Sequence, residues 1–135
     1  TTAALVTENK TLCFPASADS IPTSLGQEDH VSMGSISGRK FNRVLDNLEY
    51  IMAIELLSAA QAIEFRKPLK SSPMLEFAHD YVRQHVGFAE EDRIFADDIN
   101  KVTTIIKDFS FVEKVNEFAA SKKIELNRDY LGFIN

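Results

Sequence analysis

The fold turns on Phe41-Asn-Arg-Val44-Leu45-Asp-Asn-Leu48-Glu-Tyr-Ile51-Met52-Ala-Ile-Glu-Leu56-Leu-Ser-Ala59-Ala60-Gln-Ala-Ile63. Its apolar residues recur at i, i+3, i+4 and i+7 with no proline, the signature of an amphipathic α-helix. The pattern predicts one long helix over residues 31–66, which at 1.5 Å per residue would extend on the order of 50 Å. Such a helix is several times the usual length and suits a bundle or an oligomer core. Ile54, Leu57 and Ala62 widen the apolar surface beyond a single stripe, so self-association through this helix is expected.

Outward from that helix the pattern stays helical. Arg66-Lys67 suits a helix C-terminus and Pro68 ends the run. Ser72 is a candidate N-cap with Pro73 at the first helical position. Met74, Leu75, Ala78, Tyr81, Val82 and Val86 form the expected buried face of this second helix. Asp97 or Asp98 is expected to cap a third helix carrying Ile99, Val102, Ile105 and Ile106. Ser110 and Glu113 read as a capping box for a fourth, with Val112, Val115, Phe118 and Ala119 inward. Toward the N-terminus, residues 1–9 read as the end of a helix cut in the middle, and residues 10–30 as a loop with Pro15, Pro22 and Gly26. The expectation is one all-α domain: a long central helix followed, over residues 72–135, by shorter helices and a tail. A structureless loop of that length inside a compact domain is uncommon and points to function.

Composition narrows the classes without naming an activity. The chain has 135 residues, 44% of them hydrophobic, and a formal charge of −5 with acidic and basic residues intermixed. This balance disfavours a nucleic-acid or anionic-membrane surface. No run approaches the roughly 18 apolar residues of a membrane span. The single cysteine, Cys13, has no partner for an internal disulfide, which suits a reducing cytoplasm.

The chemistry-bearing stretch is Ser20-Ile-Pro-Thr-Ser-Leu-Gly-Gln-Glu-Asp-His-Val-Ser-Met-Gly34. It delivers Gln27, Glu28, Asp29 and His30 together at a helix start, where unpaired backbone amides favour an ionised carboxylate. Glu28 is the candidate catalytic and substrate-binding group, able to accept a hydrogen bond from an imidazole N–H or to take part in proton transfer. Capping alone would also explain an acidic residue there. Gln27 and, more weakly, His30 are candidate substrate contacts. Asp29 reads as a cap or an arginine partner. No metal site is expected: consecutive residues diverge around a helix, and His79 and His85 lack the i, i+4 spacing of a zinc motif.

Three further positions stand out as structural. Gly34 and Gly38 strip bulk from one face of the long helix and suggest a close interface. Glu55 falls within the apolar period, where a buried carboxylate needs a partner, and is expected to form a structural ion pair, with an Arg of another chain as a candidate partner. Arg39, Lys40 and Arg43 form a basic patch able to pair with Glu28 or Asp29 or to remain solvated.

The words Ile-Pro-Thr-Ser and Gln-Glu-Asp-His-Val-Ser-Met-Gly, with Ala3-Ala-Leu-Val-Thr-Glu-Asn-Lys10, Gly38-Arg39-Lys40, Arg66-Lys-Pro-Leu-Lys-Ser-Ser-Pro73 and Glu91-Asp-Arg93, resemble the C-terminal part of the histidine ammonia-lyases. The resemblance extends from residue 1 to about residue 107. It implies a helical homotetramer, elimination of ammonia from L-histidine to give trans-urocanate, and Glu28 as an active-site glutamate. It also implies an electrophilic methylidene-imidazolone made from Ala-Ser-Gly, with no metal or diffusible cofactor. This chain contains no Ala-Ser-Gly; Ala16-Ser17-Ala18 and Ile36-Ser37-Gly38 come nearest. A fragment of a longer enzyme, inactive alone, is therefore expected. The alternatives are a fragment of a phenylalanine or tyrosine ammonia-lyase or aminomutase, and a non-enzymatic helical oligomerisation module.

Overall fold

The computed structural model describes residues 1–16, 18, 22–27 and 33–125. Among these residues the chain is helical: α1 (Thr2–Leu12), a short 3-10 turn (Ser24–Gly26), α2 (Gly34–Glu64), α3 (Pro73–His85), α4 (Ala96–Lys107) and α5 (Ser110–Ser121). The all-α expectation holds. Helix α1 runs past the predicted boundary at residue 9 to Leu12, and α2 begins at Gly34 and stops at Glu64, inside the predicted 31–66. Its 31 residues correspond to about 46 Å of helix. The chain divides into two compact units, Thr1–Met52 and Ala53–Asn135.

In the first unit, α1 meets the N-terminal half of α2 through polar side chains. Asn47, only 2% exposed, donates from Nδ2 to Glu8 Oε2 at 3.1 Å and to Asn9 Oδ1 at 2.9 Å. Both amide protons are thus satisfied, as burial of a polar group requires.

The second unit has an apolar core of Ala53, Ala60, Val82, Val86 and Val102, flanked by Leu56, Leu57, Ile99, Ile106 and Phe111. Small side chains at Ala53 and Ala60 let the neighbouring valines approach the helix surface closely. Phe77 of α3 stacks on Phe118 of α5, ring centroids 4.3 Å apart. Helix α3 starts as predicted: Pro73 occupies its first turn and Ser72 accepts from the Leu75 amide.

Two caps differ from expectation. Phe95, not Asp97 or Asp98, precedes α4; Asp98 lies in the first turn and binds Arg93, with Nη2 at 2.8 Å and Nε at 2.9 Å from Oδ2. The guanidinium takes the carboxylate that would otherwise have been free to cap. For α5 the preceding residue is Phe109 in a left-handed conformation (φ 61°), and no Ser110–Glu113 capping box forms. Asp108 Oδ1 accepts the Ser110 amide instead, and the Ser110 hydroxyl donates to the Ile105 carbonyl. Leu75 and Val112, expected inside, are 55% and 50% exposed.

The turn between α2 and α3 is tied by a carboxylate that the sequence pattern did not single out. Glu64 pairs with Lys67 Nζ at 2.6 Å and with Arg83 Nε at 3.3 Å, and lies 3.1 Å from Nε2 of buried His79. That ring nitrogen is buried without a hydrogen bond of good geometry, so its contact with Glu64 is proximity alone. The Lys67 hydrogen bond, followed by the charges of Lys67, His79 and Arg83, holds the Glu64 carboxyl below the ordinary glutamate range despite an opposing effect of burial.

Candidate functional site

The candidate site lies on the loop joining α1 to α2. The chain leaves α1 at Cys13, whose amide donates to the Asn9 carbonyl at 3.1 Å. Farther along, Ser24, Leu25 and Gly26 take left-handed φ values of 52°, 59° and 81°. Glycine adopts such angles freely, whereas Ser and Leu pay roughly 1–2 kcal/mol each for the crowding of Cβ. Leu25 is fully exposed in this arrangement. Gln27 closes the turn, its amide donating to the Ser24 carbonyl at 3.2 Å, and its side chain is exposed. Glu28, Asp29 and His30 lie outside the described residues. Met33, again left-handed (φ 49°), delivers the chain into α2, and its carbonyl accepts from the Ile36 and Ser37 amides.

Two residues of the basic patch, Lys40 and Arg43, are engaged by structural partners. Lys40 Nζ donates to the Phe14 carbonyl and stands 6.0 Å from the centroid of the Phe14 ring. Arg43 Nε donates to Glu8 Oε1 at 3.4 Å. Lys40 also helps line a cleft of about 390 Å³ with Leu12, Phe14, Phe41 and Val44. That cleft lies where the loop leaves α1. In the second unit a larger apolar cleft of about 510 Å³ is lined by Leu57, Gln61, Phe65, Arg93 and Phe95. Its polar groups are engaged internally: Gln61 Nε2 donates to the Ala89 carbonyl at 2.7 Å, and Arg93 Nη2 donates to the Gly87 carbonyl at 2.9 Å.

Gly34 opens α2 and Gly38 lies within its first turns, both exposed. A Cβ added at Gly38 would meet nothing within 4 Å. Glu55 is exposed within this chain, where an ion pair to another subunit would have to reach it. The apolar surface of α2 is broad enough that a residue inside the period can still face out. The buried polar residue of this helix is Asn47, and its signal was readable: it lies three residues after Val44 and four before Ile51, on the apolar stripe. His79 is buried against Glu64, and His85 Nδ1 lies 2.9 Å from the Tyr81 carbonyl. Among the described residues no three of His, Cys, Asp and Glu are grouped to hold a metal ion, and no helix is long and apolar enough to cross a membrane.

Comparison with known proteins supplies the context for this loop. Residues 1–84 match the aromatic amino acid lyase family. The histidine ammonia-lyase of Aliivibrio fischeri (strain MJ11) is 49% identical over 111 residues, 82% of this chain and 22% of the relative. Histidine ammonia-lyase from Trypanosoma cruzi superposes with a TM-score of 0.81 at 46% identity, covering 86% of this chain and 23% of that one. Tyrosine aminomutase from Streptomyces globisporus gives 0.80 at 38% identity, over 85% and 22%. The chain therefore spans about a fifth of the length of the relatives it matches. With the family match running over more than half its residues, through both helices that flank the loop, this chain belongs to the aromatic amino acid lyases.

Proposed function

We propose that this chain is the C-terminal part of a histidine ammonia-lyase and contributes Glu28 to the site where L-histidine loses ammonia to become trans-urocanate. The observation that carries the reading is 49% identity over 111 residues to a histidine ammonia-lyase, against 38% to a tyrosine aminomutase. The family match includes positions 27–30. An acidic residue there has a chemical use with histidine: a carboxylate accepts from the imidazole N–H and orients the ring, whereas a phenyl ring offers no such donor. Gln27 and His30 flank that contact as substrate-binding groups. A cytoplasmic setting is part of the same proposal, in keeping with the free, exposed Cys13.

In the complete enzyme a methylidene-imidazolone formed from an Ala-Ser-Gly segment would supply the electrophile that activates the substrate amine for departure, and a separate base would take the β proton. This chain carries no Ala-Ser-Gly from which to make it. Its own part is to position the imidazole. Positioning without the electrophile and the base stabilises no transition state. The 135-residue chain mixed with L-histidine is accordingly expected to form no urocanate, followed by ultraviolet absorbance. A polypeptide that joins it to an Ala-Ser-Gly segment is expected to form urocanate from histidine and no cinnamate or coumarate from phenylalanine or tyrosine. Turnover of the aromatic substrates instead would favour the aminomutase or phenylalanine-type reading, and no amine release from any of them would favour a helical oligomerisation module.

Self-association through α2 belongs to the same proposal. Phe41, Leu45, Leu48 and Met52 are 60%, 40%, 44% and 48% exposed, a stripe at helical spacing. Gly38 tests it cleanly because a side chain there has room within the chain. Gly38→Leu should leave the unfolding midpoint unchanged or raise it, by up to about 1 kcal/mol from helix propensity, while shifting the sedimentation profile toward smaller species. An unaltered profile would place Gly38 away from any subunit contact.

A further inference from the structure

The apolar cleft of about 510 Å³ lies within the second unit, between the end of α2 and the ledge of chain, residues 86–95, that joins α3 to α4. The ledge is not helical and is fixed by side chains. Gln61 holds Ala89 from both sides, donating from Nε2 to its carbonyl at 2.7 Å and accepting its amide on Oε1 at 3.3 Å. Arg93 donates to the Gly87 and Phe88 carbonyls and pairs with Asp98, while Arg83 donates to the Val86 and Gly87 carbonyls. A segment held in this way is preorganised, so little ordering cost opposes docking on it.

The same ledge presents apolar surface. Phe65 on the cleft wall is 74% exposed, and Ile94, between the lining residues Arg93 and Phe95, is 81% exposed. Apolar surface of this kind around a concave wall marks a place where another segment packs. Between Ala89 and Arg93 the ledge carries Glu90, Glu91 and Asp92, all exposed and without an ion-pair partner among the described residues. The cations at the cleft are already taken, Arg93 by Asp98 and Arg83 by Glu64 and Gln61. Three acids beside an apolar groove fit a partner that sets Lys or Arg next to its apolar side chains. The exposed stripe of α2, Phe41, Leu45, Leu48 and Met52, bears no cation, so that stripe in a second copy would leave the acids without a counterion. In the relative from Aliivibrio fischeri the matched residues make up 22% of the length, so most of such a polypeptide lies outside this chain. We propose that the cleft and its acidic ledge dock a basic amphipathic helix from the part of the lyase polypeptide outside this chain. This rests on the histidine ammonia-lyase reading above.

The test uses the complete polypeptide in three forms: wild type, a charge reversal combining Glu90→Lys, Glu91→Lys and Asp92→Lys, and a neutral form combining Glu90→Gln, Glu91→Gln and Asp92→Asn. Hydrogen exchange is read at the amides of residues 61–65 and 87–95. Against a cationic helix the reversal sets like charges together, so exchange there is expected to quicken about tenfold or more, and by less in the neutral form. A ledge that faces water gives the opposite sign. The chain carries a formal charge of −5, so removing negative charge relieves repulsion, and exchange stays as in wild type or slows. That result would overturn the docking site. A carbodiimide, which joins carboxylates to lysines in contact with them, identifies the source in a mixture of isotopically light and heavy protein. The expected product links residues 90–92 to a lysine outside this chain and is missing from the neutral form. A link only to a lysine within residues 1–135, in the same copy or a second one, would overturn the assignment. An arginine partner gives no link, and the exchange result then decides. Histidine turnover by the wild type reports the lyase reading separately: turnover with unchanged exchange overturns the docking site alone, and no turnover overturns both. Should the triple reversal fail to fold, Glu91→Lys alone is expected to quicken exchange in the same two segments, and unchanged exchange in that variant would overturn the site.

Discussion

Glu28→Gln in the complete polypeptide is expected to lower kcat/KM for L-histidine by about 100-fold. Glutamine keeps the length and shape of the side chain and retains one carbonyl acceptor, so the change removes charge more than volume. A hydrogen bond to a charged group is worth about 1.5–3 kcal/mol net. At about 1.4 kcal/mol per factor of ten, that corresponds to roughly 10- to 150-fold, and the upper part of the range applies where the site excludes water. Charge-assisted bonds are also about twice as strong as neutral ones. The measurement is the steady-state rate of urocanate formation against histidine concentration. A loss smaller than about threefold would remove Glu28 from the substrate contact.

Glu64→Leu is expected to destabilise the fold by about 3 kcal/mol, read as a lowered urea midpoint at neutral pH. Truncating one partner of a buried ion pair costs about 3–5 kcal/mol because the other charge is left without a counterion. Glu64 and Arg83 retain 15% and 12% side-chain exposure, which places the effect at the low end. Adding Arg83→Met should recover a large part of the loss, since an apolar pair of similar volume removes the orphaned charge. The pH dependence follows from the direction of the Glu64 shift. Its carboxyl titrates lower in the folded chain than in the unfolded one, chiefly through the Lys67 hydrogen bond. The stabilisation is therefore complete above the ordinary glutamate value, roughly pH 4.3, and disappears as the pH falls below it through the folded value. The gap between Glu64→Leu and wild type should narrow as the pH falls below the ordinary glutamate value. A gap that stays constant across that range would assign the effect to packing.

Much of the architecture was legible because it depends on near neighbours. The apolar period from Phe41 to Ile63 gave α2 to within a few residues, and Ser72-Pro73 gave the start of α3. The site was legible only as a motif: Gln27 closes a strained turn, while the role proposed for Glu28 rests on the family likeness and the chemistry of imidazole. The errors share one cause. Asp98 and Ser110 were each assigned by local pattern, yet Arg93 claims Asp98 and Asp108 takes the Ser110 amide. Acidic residues near a helix start are favoured by the helix dipole whether or not they cap it, so composition could not separate the two.

Helix positions, their amphipathic faces and the proline stops needed nothing beyond the order of residues, since the forces behind them act within one or two turns. Which polar groups find partners was a different matter. Asn47 binds Glu8 and Asn9 across 39 and 38 positions of chain, and Glu64 meets Arg83 across 19. Hydrogen bonds and ion pairs act over a few ångströms of space regardless of separation along the backbone. Packing the helices was what brought those groups within reach.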